Sequence, residues 1–192
     1  MRLLTILLFS CLGYTYLMAD ESMIIDNRSS GSLESTLGGE WRLITDRVMG
    51  GASSGNLAED SIEGKPCMRL SGNVRLDNSG GFIQAALDVQ GTEATDVSGY
   101  QGLLLKVFGN DKEYNLHLRT KDVWLPWQSY RASFHAPAHW QSVKVPFTSF
   151  TPYRIGKKLD LKHLKRIGIV AIGQEFTADL CIANLSLYKD TH

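Results

Sequence analysis

From Trp41 onward the chain is a succession of short runs with alternating or β-branched character, and almost none of it has a helical period. The runs are Trp41 to Thr45, Cys67 to Leu76, Gly81 to Val89, Gly102 to Phe108, Glu113 to Thr120, Ser129 to His135, Trp140 to Val145, Leu164 to Ile172 and Leu180 to Tyr188. Alternation places successive side chains on opposite faces of a strand, so each run offers one apolar face for burial. Gly109-Asn110-Asp111, Ala136-Pro137-Ala138 and Gly156-Lys157-Lys158 mark turns between them. The candidate helices are short: Ser32 to Gly38, and Asp160 to Lys165, where Asp160 can cap a turn. About nine strands without interleaved helices predict an all-β antiparallel sandwich or barrel and argue against a βαβ sheet. With 192 residues, 43% of them hydrophobic, and no repeat or linker, one core is expected, in a domain spanning 40–189.

The N-terminus has a different composition. Arg2 precedes an apolar run from Leu3 to Leu12, and Leu17-Met18-Ala19 ends in a small residue before Asp20-Glu21. This is the pattern of an export signal over residues 1–19, which makes the protein secreted or periplasmic; one Arg and an unbroken apolar run argue against a mitochondrial transit peptide. Association with a membrane would need an uncleaved signal or lipidation of Cys11, and no later stretch is long enough to span a bilayer. Residues 20–39, rich in Ser, Gly, Asn and acids, are expected to form a loose arm with at most one short strand. Equal numbers of basic and acidic residues, 20 of each, remove the excess cation that drives nucleic-acid binding. Loss of the signal leaves Cys67 and Cys181, whose apolar neighbours place both thiols away from the core: either a disulfide or two small unpaired hydrophobes.

Tests for chemistry return little. Gly51-Ala52-Ser53-Ser54-Gly55 matches G-x-S-x-G, but no helix of useful length follows it, so Ser53 lacks the strand–turn–helix that makes a nucleophile. His135 and His139 are separated by Pro137 and lack a glutamate partner, and His117, between Leu116 and Leu118, reads as a sheet residue facing away from them. No dense acidic loop and no phosphate cradle is present, so neither a metal nor a cofactor is expected. The outstanding feature is aromatic: Trp124-Leu125-Pro126-Trp127, with Tyr130 close by and Arg119 just before. Such a loop can present a platform to a sugar or an anchor to a protein, or can fold back over the sandwich edge.

Several motifs occur in a fixed order: W-x4-D-x-V-M-G-G-x-S from Trp41 to Ser53, N-x-G-G-F from Asn78 to Phe82, and Y-x-A-x-F from Tyr130 to Phe134. Trp140, Val143, Pro146-Phe147, Phe150 and Pro152 follow, then Arg154 and Gly156. Together they resemble the complex I intermediate-associated protein 30 family over about Trp41 to Leu187. The resemblance implies a jelly roll of the galactose-binding-like type. The best-known family members help assemble respiratory complex I in mitochondria without known catalysis, which implies a non-catalytic, assembly or chaperone-like domain with a protein partner. A carbohydrate-binding module using the Trp loop is the alternative. The family's G-P-F-x-L run near the C-terminus is replaced by Thr177-Ala178-Asp179-Leu180. In the motif, Trp41 and Met49 are expected in the core, Asp46 as an acceptor of backbone N–H groups, and Gly50-Gly51 at positive φ or at a close approach. Asn78 and Gly80-Gly81 do the same for a second turn, with Phe82 pointing inward, so that the two turns either dock on each other or bind a ligand.

Overall fold

The computed structural model describes residues 22–89 and 94–189; the segment expected as an export signal, with Cys11, lies outside them. Among the described residues twelve strands form two antiparallel sheets. The first runs β3 (Ser54–Ile62), β4 (Lys65–Val74), β12 (Phe176–Tyr188), β6 (Gly102–Phe108) and β9 (Gln141–Pro146), with β1 (Met23–Asp26) also on β12. The second runs β10 (Thr151–Tyr153), β8 (Ser129–Ala136), β7 (Lys112–Thr120), β11 (Leu164–Ile172), β5 (Phe82–Asp88) and β2 (Arg42–Thr45). The 13-residue β12 is long enough for β4 to take its first half while β1 pairs with Leu185, Ser186 and Leu187 near its end.

The core is the pair of inward faces. Ile83, Ala85 and Leu87 of β5, Leu116 and Leu118 of β7 and Ile167 and Ile169 of β11 meet Leu70 of β4, Leu103 and Leu105 of β6 and Leu180 and Leu185 of β12, all fully buried. Period-two alternation across two facing sheets is what closes a sandwich.

Two strands were not legible as runs. β3 is an edge strand with Glu59, Asp60 and Ser61, polar residues that suit an edge open to water. Its hairpin turns at Glu63 (φ 52°) and Gly64 (φ 74°), the two left-handed positions of a type I′ turn, with Glu where Asn is the usual signal. β10 has three residues and one is Pro152, tolerated because the strand lies at the sheet edge. No helix forms over 32–38; a turn stands there. At the other candidate, Asp160 caps a single 3-10 turn, Leu161–His163, by accepting from the Lys162 N–H at 3.1 Å.

The segment expected as a loose arm contributes β1 and a buried polar cluster. Asp26 receives the Trp41 indole N–H at 2.7 Å and pairs with Arg28 at 2.5 Å, and Arg28 also reaches Glu59 on β3. Charge pairing under Trp41 thus supplies what the arm lacks in apolar residues.

Cys67 and Cys181 form a disulfide, with Cα atoms 5.5 Å apart. Both point away from the main core, as the alternation implies, yet are buried in a second small cluster with Ala183, covered by Phe108, Ile62 and Trp140. Trp140 packs edge-on to Phe108 and donates its indole N–H to the Ile62 carbonyl at 3.3 Å.

Candidate functional site

Three places could bear function: the paired-glycine turns, the Trp loop, and the outward face of the second sheet. The turns are joined by one carboxylate. Asp46 begins a 3-10 turn, Asp46–Met49, and is fully buried. Its Oδ1 accepts the Ser53 N–H at 3.0 Å; its Oδ2 accepts the Ser53 hydroxyl at 2.5 Å and the N–H groups of Gly81 at 2.5 Å and Phe82 at 3.3 Å. Burial pushes this carboxyl upward, but the hydrogen bonds from Ser53, Gly81 and Phe82 outweigh it and hold the pKa below the ordinary carboxylate value.

The glycines divide the two jobs that paired glycines can do. Gly50 (φ 86°) and Gly81 (φ 129°) supply left-handed backbone, whereas Gly51 and Gly80 make room, since a Cβ on either would lie 2.5 Å or less from an Asp46 side-chain atom. Asn78, itself left-handed at φ 56°, donates to the Gly50 carbonyl at 3.3 Å. The turns therefore dock on each other through Asp46.

Two expectations fail here. Met49 is 53% exposed instead of buried, because the 3-10 turn swings Val48 and Met49 outward. Phe82 points away from the core, since Ile83, Ala85 and Leu87 take the inward register. Ser53 is fully buried and its hydroxyl is committed, donating to Asp46 and accepting the Arg75 N–H at 3.0 Å, so it has no access to a substrate. Beside this node lies a shallow polar depression of about 500 Å³ over Asn73, Arg75 and Glu175. Glu175 accepts the Leu76 N–H and Arg75 pairs with Asp77, so its charges are already used.

The Trp loop is different. Trp124 is 84% exposed and Trp127 46%, with Leu125 between them also exposed, so the loop does not fold back over the edge. It is nonetheless tethered. The Arg119 guanidinium donates to the carbonyls of Leu125, Pro126 and Gln128 at 3.3, 2.9 and 3.2 Å. Gln128 accepts from the N–H groups of Trp124 and Leu125 and donates to the Arg154 carbonyl at 3.0 Å. Burial, and the charge of Arg166, lower the Arg119 pKa. Tyr130 is not part of this surface: it is fully buried in the core, its hydroxyl donating to the Lys158 carbonyl at 3.0 Å.

Arg119 also connects the loop to the outward face of the second sheet. Strand register puts Arg119 beside Arg166, and Arg166 beside Asp88. The adjacent row runs Arg131, His117, Gly168, Ala86 and Arg42. Tyr153 on β10 lies under the Arg131 guanidinium at 3.4 Å from its ring centroid. His117 is 8% exposed, its Nε2 has no partner among the described residues, and burial together with the Arg131 charge takes its pKa down to about 3, so the ring is neutral at pH 7. Apart from Arg119 and His117, none of this row was singled out from sequence. Its signal was polar residues at alternate positions, and only cross-strand register shows that they share one surface. His135 and His139 are exposed, and His135 lies 3.8 Å from Asp111.

Residues 31–182 match the family described as complex I intermediate-associated protein 30. The chain belongs to that family. As a member of it, the protein is also similar in structure to carbohydrate-binding modules. The family 11 module of the cellulosomal cellulase Lic26A-Cel5E of Clostridium thermocellum aligns with a TM-score of 0.72 at 15% identity, covering 91% of this chain and 98% of the module. The same type of module from that organism in complex with a β-1,3-1,4-mixed-linked tetrasaccharide gives 0.70 at 13% identity, with 91% and 99% covered. The family 30 module of the cellulosomal cellulase Cel9D-Cel44B gives 0.61 at 15%, with 89% and 99% covered. At these identities the likeness establishes the fold, a β-sandwich jelly roll, and agrees with the strand pattern. A search of curated protein sequences finds no significant relative.

Proposed function

We propose that this member of the complex I intermediate-associated protein 30 family is an exported, non-catalytic carbohydrate-binding domain. The observation that carries the reading is the tethered loop with Trp124 and Trp127 exposed. An indole offers a large flat apolar face for the axial C–H groups of a sugar ring, and a loop already held by Arg119 and Gln128 loses little entropy on binding. The jelly-roll likeness to modules whose descriptions name carbohydrate binding supports the same reading. Catalysis is disfavoured by the burial of Ser53.

The test is a glycan array and affinity electrophoresis with the mature chain and with Trp124→Ala and Trp127→Ala. Binding that weakens at least about tenfold in either variant, with unchanged melting temperature, supports the proposal. A second reading, a protein partner in assembly of an envelope complex, is favoured by the family membership. Recovery of one defined partner by in-cell crosslinking, with no glycan signal, would put that reading first. Ester hydrolysis that depends on Ser53 would overturn both.

A further inference from the structure

The outward face beside the Trp loop carries a charge pattern that the chain as a whole lacks. Net charge is zero, yet Arg42, Arg119, Arg131 and Arg166 lie on neighbouring outward positions of four strands, with Asp88 the one carboxylate among them. Arg42 and Arg166 both spend their charge on Asp88, and Arg119 spends its donors on the loop carbonyls. Arg131 is left over. It donates to the Ser129 hydroxyl at 3.0 Å and lies on the Tyr153 ring, and among the described residues it has no carboxylate partner. Immediately beside it in register is His117, more than nine-tenths buried, with an Nε2 that is itself buried and has no hydrogen-bond partner among the described residues. A half-buried guanidinium without a counter-ion is costly unless a ligand completes it. On the far side of His117, Gly168 has no side chain, and the Gln84 carboxamide packs over it.

We propose that this face takes an anionic sugar residue of a polysaccharide, with Arg131 binding its carboxylate or sulfate and the Trp loop the flanking rings. The inference rests on the carbohydrate reading and names its ligand class. A guanidinium matches the planar oxygen pair of a carboxylate. The Trp loop adjoins the face directly, because Gln128 bridges from the loop to Arg154, next to Tyr153.

The experiment measures binding of the mature protein at about 0.15 M salt to polygalacturonate, dextran sulfate, neutral dextran and neutral mixed-linked β-glucan. The expected result is at least about a tenfold preference for an acidic polymer over the neutral ones, lost in Arg131→Gln and kept in Lys65→Gln on the opposite sheet. Polygalacturonate and dextran sulfate separate a carboxylate site from a sulfate site. Because Arg131→Gln could disturb packing on Tyr153, amide chemical shifts of the wild-type protein titrated with galacturonate oligomers provide a second reading, with Arg131 and its register neighbour His117 expected to move most. Equal binding of neutral and acidic polymers, or equal weakening by both variants, or shifts confined elsewhere, overturns this inference and leaves the carbohydrate reading standing. No binding to any of these polymers or to the glycan array overturns both.

Discussion

Replacing Asp46 by Asn keeps the volume of the side chain and changes only its hydrogen-bonding character. In the native protein four donors converge on two carboxylate oxygens: the Ser53 hydroxyl and the N–H groups of Gly81 and Phe82 on Oδ2, and the Ser53 N–H on Oδ1. An amide has one acceptor oxygen. If it takes the Oδ2 position, its NH₂ faces the Ser53 N–H, and one buried donor is orphaned; the opposite flip strands three. A buried unsatisfied donor costs about 1–3 kcal/mol, and loss of the anion weakens the remaining bonds, so Asp46→Asn is expected to cost about 2–4 kcal/mol. For a domain of this size that is a fall in melting temperature of roughly 4–16 °C. The pH dependence gives the sharper check. The folded pKa of Asp46 lies below its unfolded value, so its contribution is fully present above the unfolded pKa and is lost as pH falls through the folded one. Calorimetry of wild type and Asp46→Asn at pH 7 and at about pH 3 should therefore show a large gap at neutral pH that narrows in acid. A gap of the same size at both pH values, or no gap at pH 7, would refute the idea that one ionised carboxylate clamps the two turns.

Further outcomes follow from other local features. Gly51→Ala puts a Cβ 2.3 Å from Asp46 Cγ and is expected to cost about 1–3 kcal/mol by chemical denaturation, whereas Gly99→Ala, with nothing within 4 Å and no positive φ, is expected to be neutral. Replacing Cys67 and Cys181 together by Ser opens a closure across 114 residues and is expected to lower stability by about 2–5 kcal/mol; mass spectrometry of the oxidised protein reports the bond directly. His117 is neutral in the fold and charges in the unfolded chain, so its contribution is present above about pH 6.5 and declines toward its folded pKa of about 3; in His117→Gln the melting temperature should vary less over pH 6.5 to 4 than in wild type.

How much of this was legible beforehand differs by level. The fold was, because alternation in runs such as Tyr130 to His135 reports a buried face whatever the partner strand is. β3 was not, since an edge strand buries little and its polar residues read as loop. Met49 and Phe82 were misplaced for one reason: an apolar residue beside a tight turn has its direction set by the turn's backbone, which hydrophobicity does not report. Asp46 was legible as an acceptor of backbone N–H groups but not as the joint between turns, because the second turn lies more than 30 residues away and only tertiary structure brings Gly81 to it. Residues 22–39 lacked apolar content, and nothing local signals that Arg28 would be buried against Asp26 and Glu59.

Hydrogen-bond accounting separates the structural signature from the candidate binding surface. At the paired-glycine turns every strong group is used within the protein: Asp46 is filled by four donors, Ser53 both donates and accepts, and Asn78 bridges to Gly50. A ligand there would have to break bonds that hold the end of the sandwich, and would gain little over what it displaced. On the second sheet the balance is reversed. Trp124 and Trp127 keep their apolar area in water, and among the described residues Arg131 has no carboxylate and His117 Nε2 is buried without a partner. Binding at that face would pair the Arg131 guanidinium and cover the exposed indoles with little reorganisation of the loop, because Arg119 and Gln128 already fix it. The hydrogen-bonding groups of the motif by which the family is recognised are therefore closed to a ligand, although Val48 and Met49 beside them are exposed. Functional divergence among proteins sharing it is expected at outward sheet positions and at the β7–β8 loop, where a substitution changes the surface without touching the turns that hold the fold.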